Sequence, residues 1–294
     1  MFNLTDYLEN KRRIIDNALE MHIPTEDVRP SLLHKAMRYS VFSGGKRIRP
    51  ILCMAAAEAV GGNGEDVILP AIAIEAIHTY TLIHDDLPAM DDDNLRRGRP
   101  TSHTVFGEAA AILAGDALLT LAFEWLAESS APTPFLSYQY SLEIAEAAGS
   151  RGVIAGQIED LSAEGAEPDE ELLEYIHLHK TASLIRAAVR VGGIAGSANT
   201  GQFDALTLYG CNVGLAFQIA DDILNETSSH EILGKPSGTD RKKKKMTYVS
   251  LFGTNASRKK AQLLVDQALD ALKDAKALTP PLEHIARFVL ERPR

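Results

Sequence analysis

The chain has 294 residues, 45% hydrophobic and 24% charged, the balance of an ordinary soluble globular protein. Its 30 basic and 40 acidic residues leave a formal charge of −10, which excludes a general binder of nucleic acid or anionic membrane. Any basic patch is therefore local and serves a site. Cys53 and Cys211 both sit in apolar, helix-like stretches, reading as buried free thiols in a reducing cytosol. Residues 1–6 carry neither a basic nor an apolar signal region, so a cytoplasmic protein is expected.

In chain order, helical periodicity cut by Gly, Pro, Ser and Asn predicts helices near 3–21, 30–42, 50–60, 66–87, 105–127 and 134–148. Further helices are predicted near 151–163, 168–191, 201–226, 246–252, 256–275 and 281–290. Pro168, followed by Asp169, Glu170 and Glu171, reads as a helix start with proline in the first position and acids in the first turn. Two stretches, Val67 to Ile83 and Val105 to Phe123, are apolar nearly all round, as buried helices of a large bundle are. Glu75, Glu108 and Asp116 interrupt them, arguing for core helices over membrane spans. Almost nothing reads as strand, and no break is long enough for a domain linker. The expectation is one all-α domain over residues 1–294, a single large helical bundle with central apolar helices around a deep cavity.

Two acidic clusters close apolar helical stretches. The first runs His84-Asp85-Asp86-Leu87-Pro88-Ala89-Met90-Asp91-Asp92-Asp93. Asp85 and Asp91 stand about 600° apart on a regular helix, on different faces. Pro88 breaks the helix, so that Asp91 can swing back beside Asp85. The second cluster, Gln218-Ile219-Ala220-Asp221-Asp222-Ile223-Leu224-Asn225, keeps regular spacing, with Asp221 and Asn225 on one face together with Gln218. Convergent carboxylates repel unless a cation separates them; hard divalent ions such as Mg²⁺ take oxygen ligands and share them with substrate phosphates. Arginines and lysines follow each cluster: Arg96, Arg97 and Arg99 after the first, Lys235 and residues 241–245 after the second. That combination points to a diphosphate. Lys242 and Lys243 read as a solvated loop, whereas Lys235 and Lys245 bracket it and can close over an anion. Ser43-Gly44-Gly45-Lys46-Arg47-Ile48-Arg49-Pro50 adds a glycine turn and three cations at a helix N-terminus, where free N–H groups favour phosphate. His78 lies two turns before Asp85 on the same face. His177 and His179 point to different sides of their helix, which argues against a zinc pair, and Lys180 in that apolar helix needs a partner.

These motifs, with Gly156-Gln157 through Asp160, His179-Lys180-Thr181 and the run to Tyr248, span essentially the whole chain. It resembles the trans-isoprenyl diphosphate synthases, and within them the bacterial-type farnesyl diphosphate synthases. The resemblance implies an all-α bundle, a homodimer, and head-to-tail condensation of an allylic diphosphate with isopentenyl diphosphate. Carried over, Asp85 and Asp91 would coordinate two Mg²⁺ and Asp221 a third, with Mn²⁺ as a possible substitute. Arg96, Lys180, Lys235 and Lys245 would hold the allylic diphosphate; Lys46, Arg49, His78 and Arg97 would bind isopentenyl diphosphate. Thr181 and Gln218 would place oxygens near the developing carbocation. Lys180, Thr181, Gln218, Asp85, Asp91 and Asp221 are thus the expected catalytic set. Metal ions and cations would stabilise the departing diphosphate, itself the base for the final proton loss, so no side-chain nucleophile is expected.

Tyr80 and Thr81, five and four residues before Asp85, lie roughly 6–8 Å down the helix. A bulky Tyr80 would act as a floor under the growing chain, and the Pro88-Ala89 insertion points the same way within the family. The expected product is farnesyl diphosphate, with a geranylgeranyl diphosphate synthase as the alternative. A class I terpene cyclase fails on the residues after Asn225: its motif runs Asn-Asp with Ser four and Glu eight residues on, and although Ser229 is in place, Glu226 follows the Asn and Leu233 takes the last position. A non-catalytic subunit of a heteromeric synthase is disfavoured by the presence of Asp85, Asp91 and Asp221. Asn225 replaces the commoner aspartate and predicts weaker metal affinity on that side.

Overall fold

The computed structural model describes residues 2–227 and 245–291. Lys235, expected to close over an anion, lies outside them. The described chain is helical apart from one two-residue hairpin, β1 (Leu95–Arg96) and β2 (Arg99–Pro100), paired antiparallel just after the first acidic cluster.

The helices are α1 (Leu4–His22), α2 (Ser31–Val41), α3 (Ile48–Ala59), α4 (Ile68–Asp85), α5 (Ser102–Phe106), α6 (Glu108–Glu128) and α7 (Tyr138–Ala148). They continue as α8 (Val153–Ser162), α9 (Glu170–His177), α10 (Ser183–Ala195), α11 (Thr200–Thr227), α12 (Tyr248–Asp274) and α13 (Pro280–Glu291). Local sequence sets many boundaries. Asn3 caps α1 by accepting from the amides of Thr5 and Asp6. Asp169, not Pro168, starts α9: its carboxylate accepts from the amides of Glu171 and Leu172, leaving proline one residue outside. Thr247 and Ser250 form a reciprocal capping box at the head of α12. The expected break between 252 and 256 is Gly253, whose φ of 76° kinks α12.

The expected helix over 168–191 is interrupted. Residues Leu178–Ala182 form a single π-helical turn between α9 and α10. Such turns insert one residue into the ladder and re-aim side chains. A Cβ on Gly156 of α8 would collide with the backbone nitrogen of Lys180, so α8 and the π turn meet at backbone distance.

α4 is the central strut. Ala71, Ile72, Ala73, Ile74, Ala76 and Ile77 are fully buried, and it lies against α3 and α6. Each such isoleucine contributes roughly 1.5–3 kcal/mol by leaving water. α4 and α6 are both long and apolar enough to cross a membrane by length and composition, but their surroundings differ. Of the most apolar 18-residue window, 67% is buried for α4 with its preceding turn and 39% for α6. The expectation that both are core helices holds for α4 only. α6 buries Ala111, Ala114, Leu118, Ala122 and Trp125 but leaves Ile112 and Leu113 42% and 58% exposed. Ile154 and Ile158 of α8 and Leu142 of α7 are exposed as well.

Candidate active site

The first acidic cluster folds as the proline demands. α4 ends at Asp85, and the chain turns back so that the Asp91 amide donates to the Asp85 carbonyl at 2.9 Å. The Asp92 amide returns to the Leu87 carbonyl and the Asp93 amide to that of Asp86. Asp92 takes up a φ of 52°, a left-handed conformation open to Asp and Asn at modest strain. The turn thus brings the Asp85 and Asp91 backbones together, which no straight helix could do.

The two neighbouring carboxylates of this cluster serve different ends. Asp86 is 4% exposed and grips Arg96 of the hairpin: Nε lies 2.8 Å from both carboxylate oxygens and Nη2 lies 2.5 Å from Oδ1. Burial disfavours the Arg96 charge, but Asp86 outweighs it and holds the guanidinium protonated. Asp85 accepts from Nε2 of Gln157 on α8 at 2.5 Å. Asp91 accepts from Lys245 Nζ at 3.1 Å, and that ammonium also donates to Asp160 Oδ2 at 2.9 Å. Lys180 Nζ donates to the same Asp160 oxygen at 2.6 Å. Burial pushes the Asp160 carboxyl up, but the two lysines prevail and keep it ionised. Lys180 therefore has the partner its burial demanded, supplied by a residue to which the sequence reading gave no role.

The second cluster stays within regular α11. Asp222 is 4% exposed and accepts from the Tyr248 amide at 2.9 Å and from Gln218 Nε2 at 3.0 Å. It thereby ties α11 to the head of α12, three residues after Lys245. Gln218 Oε1 in turn accepts from the Thr181 hydroxyl at 2.8 Å, so these two expected residues meet. His177 lies 3.7 Å from Asp222 and beside the Tyr248 ring. Burial lowers its pKa to about 3, so the ring is neutral. His179 instead stacks on Tyr175, with centroids 3.8 Å apart, which removes the zinc pair.

The second basic group assembles around the glycine turn. Arg97, at φ 53°, donates to the Gly44 carbonyl and lies across Gly45, where a Cβ would sit 2.6 Å from its Nη1. That contact, with a φ of 135°, explains the glycine. Arg49 Nη1 donates to His78 Nε2 at 3.2 Å. Burial and then the charges of Arg49, Arg97, Arg96 and Arg47 hold His78 well below the usual histidine range, so it can accept that bond. Lys46 Nζ lies over the Phe288 ring of α13 at 5.1 Å. A cleft lined by Tyr39, Ser43, Thr79, Asp86, Arg96 and Arg97 runs between α2, α4 and the hairpin. One cationic group, Lys180 and Lys245, thus reaches the first acidic turn through Asp160 and Asp91, and Arg96, next to Arg97 of the other group, reaches it through Asp86.

Tyr80 is 5% exposed, its ring edge-on to His84 and its hydroxyl without a hydrogen-bond partner among the described residues. Thr81 spends its hydroxyl on the His78 carbonyl of its own helix. Among the described residues no three His, Cys, Asp or Glu side chains converge as a metal cage. Mg²⁺ takes one or two carboxylates and completes its shell with water and substrate phosphate. The hard oxygen donors Asp85, Asp91 and Asp221 suit such an ion.

The sequence profile of the polyprenyl synthetase family matches residues 30–279. The chain belongs to that family. A geranylgeranyl diphosphate synthase of Cyanophora paradoxa is 44% identical over 99% of this chain and 97% of its own length. A geranylgeranyl pyrophosphate synthase 7, chloroplastic, of Arabidopsis thaliana is 44% identical over 99% of this chain and 84% of its own. Among solved structures, an FPP/GFPP synthase from Zymomonas mobilis superposes with a TM-score of 0.85 at 36% identity, covering 98% of this chain and 99% of that one. A geranylgeranyl pyrophosphate synthetase from Pyrococcus horikoshii reaches the same TM-score at 33% identity over 99% and 98%. The all-α isoprenoid synthase fold expected from the polyprenyl synthetase motifs is therefore the one observed.

Proposed function

We propose that this polyprenyl synthetase is a Mg²⁺-dependent prenyltransferase that condenses isopentenyl diphosphate head to tail with an allylic diphosphate, and that its product is geranylgeranyl diphosphate. The observation that carries the reaction is the polar frame around the first acidic turn: Lys245 bridges Asp91 and Asp160, Lys180 donates to Asp160, and Gln157 of the same helix as Asp160 donates to Asp85, with bonds of 2.5–3.1 Å. The metal, three ions shared by Asp85, Asp91 and Asp221, would neutralise the leaving diphosphate. Lys180 and Lys245, oriented by Asp160, donate to its oxygens; Arg96, oriented by Asp86, approaches from the hairpin. Lys46, Arg49, His78 and Arg97 hold the diphosphate of the isopentenyl partner. The joined Thr181 hydroxyl and Gln218 amide face the reacting carbons with oxygen dipoles, and no side chain is required as nucleophile.

The four-isoprene product replaces the farnesyl expectation as the leading reading because the 44% identical relatives from Cyanophora and Arabidopsis bear geranylgeranyl names. One feature supports the shorter product: buried Tyr80, five residues before Asp85 on α4, is bulky enough to act as a floor under a fifteen-carbon chain. Incubation of the purified protein with Mg²⁺, isopentenyl diphosphate and geranyl diphosphate, with product length measured, separates the two. Twenty carbons supports the leading reading and fifteen the Tyr80 floor, in which case Tyr80→Ala lengthens the product. No Mg²⁺-dependent prenyl product would remove the enzyme reading. A second copy of the chain is the proposed cover for the outer face of α6, since exposed apolar patches of this kind mark interfaces, and a cytoplasmic location is proposed with it.

A further inference from the structure

Arg47 lies between two cations assigned to isopentenyl diphosphate, Lys46 and Arg49, yet it cannot touch a ligand. Its side chain is 3% exposed and all its reach is spent inward. Nε donates to Asp16 of α1 at 2.8 Å, Nη1 to Glu75 of α4 at 2.8 Å and Nη2 to the Val41 carbonyl at the end of α2 at 2.7 Å. Glu75 is equally buried, at 3%. The Arg47 backbone is left-handed, φ 51° and ψ 34°, immediately before the first turn of α3. One side chain thus pins a turn containing Gly44 and Gly45, themselves at φ 94° and 135°, to three helices.

A buried ion pair is weak grounds for stability, because apolar residues of similar volume often do as well or better. A registry role is a better account. Glu75 is three residues before His78, one turn away on the same side of α4. The pair therefore fixes the height of the glycine turn relative to the helix that carries His78. It also sets a buried negative charge beside Arg47 and Arg97.

We infer that the buried Arg47–Glu75 pair, seconded by Asp16, is the positioning device for the isopentenyl diphosphate site, holding Lys46 and Arg49 in register with His78 and Arg97. This rests on the proposed role of those four residues. The test is R47M/E75L, which replaces the pair by apolar side chains of similar size, alongside Arg47→Lys. Circular dichroism and thermal melting report the fold, and steady-state kinetics separate the KM for isopentenyl diphosphate from that for geranyl diphosphate. R47M/E75L should melt near the wild-type temperature, raise the isopentenyl diphosphate KM about tenfold or more, and leave the allylic KM within twofold. Arg47→Lys, which keeps the charge but not the three-way fork, should fall between. An unchanged isopentenyl KM in folded R47M/E75L, or equal rises in both KM values, overturns the inference. Lys46→Ala is run beside it: if that variant raises the isopentenyl KM while R47M/E75L does not, the positioning role fails and the site stands. If Lys46→Ala also leaves it unchanged, the site assignment fails and the inference falls with it.

Discussion

The two acidic clusters begin with the same Asp-Asp pair and end in different structures. The first is broken by Pro88 into a tight turn whose amides return to the carbonyls of Asp85, Asp86 and Leu87; the second remains inside a 28-residue helix. In both, the second aspartate of the pair is 4% exposed and works as a fastener. Asp86 holds the Arg96 guanidinium, and Asp222 holds the Tyr248 amide and Gln218. An Asp-Asp pair on a helix end points its members about 100° apart. One can face the site while the other ties down the next element of chain, the division that the proposed metal role of Asp85 and Asp221 requires.

The largest effect should separate the ligands. Asp91→Ala removes a carboxylate expected to touch two metal ions and should lower kcat by roughly 10³-fold, whereas Asp221→Ala, serving one ion, should cost roughly 10²-fold. Single-turnover rates at saturating Mg²⁺ measure both, and a reversed order would break the division between clusters. A smaller effect should separate the fasteners. Asp86→Asn loosens Arg96 and should raise the allylic KM about tenfold, while Asp222→Asn weakens the α11–α12 tie and should lower stability by about 1–2 kcal/mol. Kinetics and urea unfolding of the two variants would show whether each carboxylate acts on its own partner.

The smallest effect concerns pH. His177 beside Asp222 is neutral in the folded chain, with its pKa depressed to about 3 against about 6.5 for an unfolded histidine. Only the unfolded chain takes up this proton between those values. Stability from this group is therefore whole above pH 6.5 and declines as pH falls towards 3, by up to about 1.4 kcal/mol per unit. His177→Gln should flatten that limb of the unfolding curve relative to wild type. His78, held low by burial and by the nearby arginines, contributes to the same limb, so the difference between wild type and His177→Gln isolates the share of His177.

The sequence made the helical class, the Pro88 turn and the aspartate spacing readable because each follows from local rules. It missed what depends on packing. The π turn at Leu178–Ala182 is set by α8 pressing Gly156 against the Lys180 backbone, a contact between residues 24 apart in sequence. The exposed face of α6 was hidden because hydropathy reads a fully buried helix and a half-exposed apolar one alike. Asp160, Arg47 and Glu75 carry charges that usually face water, and only the fold shows Asp160 held by Lys180 and Lys245 and Arg47 buried on Glu75; an ionisable side chain within an apolar helix, as Glu75 is, was the available signal.

The central claim is that both clusters serve one diphosphate, the first with two metal ions and the second with one. Manganese offers a direct count. Crystals soaked with Mn²⁺ and an unreactive allylic thiodiphosphate should show three anomalous peaks, two between Asp85 and Asp91 and one at Asp221, all bridged by the diphosphate. Peaks at one cluster only, or a diphosphate bound away from Lys180 and Lys245, would contradict it.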